Sequence, residues 1–346
     1  MFSSKNPYHY LAIFSIVIAV SYIVPKLKQS FETNNEYELI KKYLLNDSPL
    51  YGFNKPKLWI HSKYEINARR WKSFHSRNST DLNQPYIHLT IKTIINHCGN
   101  DFNICLIDDD TFSKLIPDWD INLETIAEPH KSQYRHLGMM QLLYYYGGMT
   151  LPNSFLCMKN LKELYNIAIA EGKPFVCENV NHTTNIVEEK QKLLFSPDVS
   201  MMGAPKNNDI ILEMIEDMKR MYVSGHFTNE NDFLGKMSHW CKHKVNIGSM
   251  ILIGGEYIGV KTQKRRPILL ENLMEEEFLD IIPNAFGIYI PREQLLKRTK
   301  YQWFAVLPSE EVLKSNAIIV KHLKASIVDS TDEYYKNSEI RSVVAI

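Results

Sequence analysis

The spacing of apolar positions changes character several times along the chain. Residues 10–24 (YLAIFSIVIAVSYIV) are almost continuously apolar, show no polar face and close on Pro25-Lys26. A membrane span asks for roughly 20 residues. With Tyr8 and His9 included, and with Lys26 and Lys28 snorkelling toward the headgroups, residues 8–25 read as a short span. No small-x-small cleavage sequence follows, so residues 1–28 are assigned as a retained anchor and not a cleaved leader. Residues 29–55 are polar and charged and read as a stem. A folded domain is expected over 56–325, with a polar tail over 326–346.

Within that domain the pattern alternates between strand and helix. Residues 57–61 (KLWIH) predict a buried strand. Residues 87–97 carry apolar positions at helical spacing and end at Cys98-Gly99-Asn100, and residues 102–107 predict a second strand. This strand, helix, strand order predicts an α/β fold with a mainly parallel central sheet. Pro129 opens a helix whose stripe of Leu137, Met140, Leu143 and Tyr144 runs to Tyr146. Gly147-Gly148 breaks it, since glycine tolerates left-handed dihedrals, and a short strand then meets Pro152. Further on, the pattern predicts helices over 161–170 and 209–221, strands over 174–177, 199–204 and 287–291, and a hairpin over 254–259.

Ligands of α/β sheets gather at the carboxyl ends of strands. His61 ends the first strand, either facing a ligand or packing as a structural histidine. Arg69 and Arg70, beside Trp71, are suited to a diphosphate or a stacked base, or else are solvated. Asp108, Asp109 and Asp110 follow the second strand. Asp110 is assigned to capping the next helix, and Asp108 and Asp109 are the candidates for a metal ion (Mn2+ or Mg2+) or a ribose. Arg135 offers a bidentate fork to phosphate, or an ordinary intrahelical ion pair. Glu230 and Asp232 lie in a glycine-flanked loop and are the candidate catalytic carboxylates for an acceptor. His239 and His243 lie four apart, but no metalloprotease-type glutamate or third ligand accompanies them.

The stretch from Leu142 through Tyr146-Gly147-Gly148-Met149-Thr150-Leu151 to Cys157 resembles glycosyltransferase families with a DXD sugar-binding region, the mannosyltransferase-like and capsular-polysaccharide-synthesis groups. The Pro56–His61 strand resembles their opening strand. The resemblance implies a GT-A-like nucleotide-diphosphate-sugar transferase fold, a nucleotide-sugar donor and a glycan or glycoprotein acceptor. It also implies donor contacts from His61, Arg135, His136, Tyr146, Gly147, Gly148, Asn153 and Ser154. This chain departs from the pattern where Pro152 and Ser154 replace the two aspartates, because neither residue replaces a carboxylate as a hard-cation ligand. Counting back from Gly147 puts Arg135-His136 on the families' Ser-Asp pair and Met139 on their arginine. A membrane-anchored glycosyltransferase is therefore expected. The alternatives are an inactive relative serving as a tethered binding or scaffold protein, and a lipid-surface protein using residues 261–266.

Composition narrows the partners. Lys and Arg total 40 against 39 Asp and Glu, a net charge of +1, so there is no basic excess of the kind that nucleic-acid binding requires. The 5 cysteines are odd in number and lie mostly in apolar segments, as core residues do. Acceptor sequons at Asn46, Asn78 and Asn181 point instead to a lumenal domain. Secretory-pathway or other internal membranes are expected, with the orientation open.

Overall fold

The computed structural model describes residues 55–62, 84–181, 194–224, 230–275 and 278–327. The expected anchor and stem, Arg69, Arg70 and most of the tail lie outside the described residues. Among the described residues no helix is long and apolar enough to cross a membrane.

Among the described residues there are eight strands: β1 (Lys57–His61), β2 (Asn103–Ile107), β3 (Gly148–Thr150), β4 (Phe155–Cys157), β5 (Phe175–Val180), β6 (Phe195–Ala204), β7 (Ile251–Ile253) and β8 (Gly287–Tyr289). Six of them form a sheet in the order β2-β1-β3-β6-β5-β7, and β4 pairs with β8 in a separate ribbon. β1 runs parallel to β2 and β3, and β5 runs parallel to β7, while β6 is antiparallel to both β3 and β5. The sheet is thus mainly parallel, with one reversed strand that the sequence pattern did not show. Leu58, Trp59 and Ile60 are all fully buried, which is why β1 reads as a continuous apolar run and not as an alternating one.

The helices that matter for the site are α1 (Tyr86–Cys98), α2 (Thr111–Leu115), α3 (His130–Tyr146), α4 (Lys162–Ile169), α5 (Asp209–Ser224) and α6 (Glu230–Asn246). α3 descends from the carboxyl ends of the parallel strands, α5 climbs back, and α6 descends again. Tyr222, near the end of α5, fixes this meeting point. Its hydroxyl donates to the Gln133 carbonyl at 2.6 Å, and its ring stacks on Phe233 of α6 at 5.8 Å. Trp59, Met140, Leu143, Met202, Met214, Met218 and Phe233 share one core cluster here.

Three local expectations are corrected. Residues from Glu230 onward are helical, because Phe233, Met237 and Cys241 form a buried stripe at helical spacing. Residues 254–259 are turns after β7, which pairs in parallel with β5, so no hairpin forms there. Lys261 leaves the basic run: its side chain is 12% exposed and paired with Glu178, whereas Lys264, Arg265 and Arg266 are exposed. The 5 cysteines are free and buried, as core residues.

Candidate site at the carboxyl ends of the strands

The glycine pair is dictated by backbone approach. Gly147 (φ 68°) stops α3, and its carbonyl accepts the Trp59 indole N–H at 3.0 Å. Gly148 (φ 99°) passes so close to β1 that a Cβ would lie 2.1 Å from the Lys57 carbonyl oxygen. The chain is thereby held against β1 and released at residues 151–154, where the Leu151 N–H donates to the Trp59 carbonyl.

The β4/β8 ribbon fixes what faces this segment. Phe155 pairs with Tyr289, Leu156 with Ile288 and Cys157 with Gly287. Continued by one residue, the register brings Ser154 to Ile290, and the Ser154 hydroxyl donates to the Ile290 carbonyl at 2.8 Å. Continued further, it sets Asn153 opposite Pro291, one residue before α7 (Arg292–Lys297), and Arg292 donates to Asn153 Oδ1 at 3.0 Å. Thr90 of α1 donates to the Asn153 carbonyl at 2.6 Å, locking the other side.

A second cluster sits at the ends of β1 and β2. Asp109 accepts two hydrogen bonds from Arg135, at 2.7 Å from Nε and 2.6 Å from the terminal nitrogen, the bidentate fork that suits a carboxylate. His61 Nε2 lies 3.0 Å from Asp109 Oδ1, and its ring stacks on Phe112 at 5.6 Å. Arg135 also reaches Glu128 at 3.1 Å. Burial opposes ionisation of Asp109, but hydrogen bonds from Arg135 and His61, together with their charges, outweigh it and hold the carboxyl well below its usual range. Burial lowers the His61 pKa against the pull of Asp109. Arg135 and Arg292 add to that lowering, so their field reaches the imidazole.

The placement changes several expected roles. Arg135 is shared by two carboxylates and is largely neutralised, which removes it as the leading phosphate contact. Asp108, not Asp110, caps α2: Asp108 Oδ1 accepts from the Thr111 N–H at 2.9 Å and from its hydroxyl at 2.5 Å, while the Asp110 side chain makes no capping bond. The Tyr146 hydroxyl donates to the Leu115 carbonyl at 2.6 Å, so it braces α3 against α2. Ser154 is fully buried, with its hydroxyl committed to Ile290. His136 faces the ring of Phe233 at 6.2 Å, toward α6 and not toward Asp109. Asp232 lies in the first turn of α6, whose start is at the same end of the sheet. The Glu230 side chain and Arg69 and Arg70 lie outside what is described.

A divalent ion does not fit the donor set at 152–154. Pro152 offers no side-chain ligand, and the Ser154 hydroxyl is buried and already donating. A dication using Asn153 Oδ1 would lie roughly 5 Å from the Arg292 guanidinium, a repulsion of about 7 kcal/mol at an effective dielectric of about 20. Asp108 and Asp109 do not supply the lack, since one caps a helix and the other is gripped by Arg135. Among the described residues no group of three or more His, Cys, Asp or Glu could hold a metal.

Arg292 is the site residue that the sequence reading missed. It is 139 positions from Asn153, and its only local mark is an arginine directly after Pro291 at the end of an apolar strand. A shallow surface depression runs past Pro291, lined by Asn179, Val180, Val260, Leu270 and Tyr289, and Arg292 is not part of its lining.

The molecule is therefore an α/β protein with a polar, arginine-containing site at the carboxyl ends of parallel strands. No protein-family model and no curated protein matches the chain. Solved structures align loosely. They include the PaToxG glycosyltransferase, at 15% identity over 63% of this chain and 80% of that one, with a TM-score of 0.33. The galactosyltransferase LgtC, in complex with donor and acceptor sugar analogues, aligns at 9% identity over 80% and 96%, with a TM-score of 0.37. The glycosyltransferase GlyE of Streptococcus pneumoniae TIGR4 aligns at 9% identity over 75% of this chain and 62% of its own, with a TM-score of 0.36. At such scores the functional argument rests on the site itself.

Proposed function

We propose that this protein is a membrane-anchored glycosyltransferase that takes a sugar from a nucleotide-sugar and passes it to a glycan or glycoprotein acceptor. The observation that carries the reading is the setting of residues 151–154. The Tyr146-Gly147-Gly148 turn, of the kind that marks DXD-region sugar transferases, delivers them to the carboxyl ends of β1 and β3. There Asn153 and Arg292 meet within hydrogen-bond distance. In such a reaction negative charge develops on the departing nucleoside diphosphate, and fixed donors aimed at that charge lower the barrier. His61, whose pKa burial lowers and whose ring meets Asp109, and Asp232 at the head of α6 are the candidates for handling the acceptor proton. Residues 8–25 would tether the domain to a secretory-pathway or other internal membrane.

The test is a thermal-shift screen of the detergent-solubilised full chain against nucleotide-sugars, followed by product analysis with glycan acceptors. Stabilisation by one nucleotide-sugar and transfer to an acceptor are expected. No shift with any nucleotide or nucleotide-sugar would overturn the reading. A second reading, a tethered binding protein on the same fold, is favoured by Pro152 and by the buried, committed Ser154 hydroxyl. It expects a shift without turnover.

A further inference from the structure

We propose that Arg292 holds the diphosphate of the donor and that it does so without a divalent ion. The inference rests on the donor reading above and identifies the group that would carry the charge. Two arginines face this end of the sheet among the residues described so far, and their surroundings differ. Arg135 is 12% exposed and bound by Asp109 and Glu128, two negative charges around one positive. Arg292 is 30% exposed and anchored by a neutral amide oxygen, that of Asn153. Its one carboxylate contact among the described residues is its own neighbour Glu293, 61% exposed, at 3.1 Å from Nε. A partly exposed guanidinium steadied by an amide keeps its charge and most of its donors for an incoming anion.

The position is built and not incidental. β4 and β8 fix the register that, continued, sets Pro291 opposite Asn153 and Arg292 one residue further on. Gly287 is required at the far end of that ribbon, because a Cβ there would lie 2.2 Å from the Leu156 carbonyl oxygen. Tyr86 adds a second polar group nearby. It is fully buried, its hydroxyl has no hydrogen-bond partner among the described residues, and it lies within reach of the Arg292 charge. The guanidinium suits phosphate oxygens, and it repels the cation that an aspartate pair would have held.

The experiment is calorimetric titration of the full chain in detergent with UDP, GDP and inorganic pyrophosphate, in EDTA and again in manganese. Binding of a nucleoside diphosphate in EDTA, unchanged by manganese, is expected. Arg292→Gln should weaken it about ten- to hundred-fold, the range for loss of a charge-assisted hydrogen bond. Arg292→Lys should retain part of it, and unfolding midpoints of both variants should match wild type, which separates charge from folding. Asn153→Asp should weaken the diphosphate by neutralising Arg292. Manganese-dependent binding that Arg292→Gln leaves intact would overturn the inference while leaving the donor reading standing. Arg292-dependent binding of pyrophosphate alone would uphold the anion site and sink the nucleotide-sugar reading. Absence of binding by all three would overturn both.

Discussion

Asp109→Asn is the substitution that most directly tests the electrostatic frame of the site. It preserves shape and removes one charge. Arg135, 12% exposed, would then keep its contact with Glu128, which is 49% exposed. Removing one partner of a buried ion pair costs about 3–5 kcal/mol. Asp109 is 24% exposed and the Glu128 contact survives, so the expected loss is smaller, about 2–3 kcal/mol at pH 7. The pH dependence has a definite sign. Burial works against the Asp109 charge, and the hydrogen bonds from Arg135 and His61 overcome it, so the folded pKa is depressed. A depressed carboxyl contributes its full stability above the unfolded value near 3.9 and loses it as pH falls toward the folded value. The gap between wild type and Asp109→Asn should therefore be constant from about pH 7 to about pH 5 and shrink below about pH 4. Urea denaturation across that range measures it. A gap under about 1 kcal/mol at pH 7, or one that does not shrink in acid, would refute the reasoning.

The remaining expectations follow from single contacts. His61 has a folded pKa lowered chiefly by burial, so its contribution to stability is complete above about 6.5 and lost as pH falls through the lower folded value; His61→Gln should flatten the fall in melting temperature below that point, and an unaltered slope would count against a buried imidazole. Gly148→Ala combines a positive φ with a Cβ at 2.1 Å from the Lys57 oxygen, and a loss above about 3 kcal/mol is expected from thermal denaturation. A wild-type midpoint would mean that β1 does not pass there. Burial pushes the Cys105 thiol up to about 11 and the Cys157 thiol well above its ordinary value, so the 5 buried cysteines should resist iodoacetamide in the native protein and all be labelled once denatured, as mass spectrometry would read. Rapid labelling of any one in the native state would contradict its burial.

The elements with long apolar periods were legible from the chain alone. The 57–61 strand, the helix after it, the 102–107 strand and the helix ending at Tyr146 stand where the pattern put them, because each buries one continuous face or run. The glycine pair was legible because a helix end that turns straight into a strand leaves little choice of residue. Strand direction was not. β6 reads as any apolar strand, and only its pairing with Gly148 and Met149 on one side and with β5 on the other reveals the reversal. Side-chain partnerships were illegible for the same reason. Asp108 and Asp110 are chemically identical, and the cap went to the one whose carboxylate the turn brings to Thr111. Arg135 was recognised as a cation, but its charge is balanced by Asp109, 26 residues away, which no local pattern reveals. Arg292 escaped notice because its meaning comes from a register set by β4 and β8.

That register also ties the candidate site to the late part of the chain. The six-stranded sheet is complete by β7, and His61, Asp109 and Arg135 need nothing beyond it to meet. Asn153 does: its amide oxygen is held by Arg292, and its neighbour Ser154 is fixed by the Ile290 carbonyl. Phe155, Leu156, Cys157 and Ile288 are fully buried, so the ribbon is part of the core and cannot shift without exposing apolar surface. The charge balance then follows from topology. The early half of the domain assembles an acid-rich cluster that neutralises its own arginine, and the late half supplies the cation that remains open to an anionic ligand.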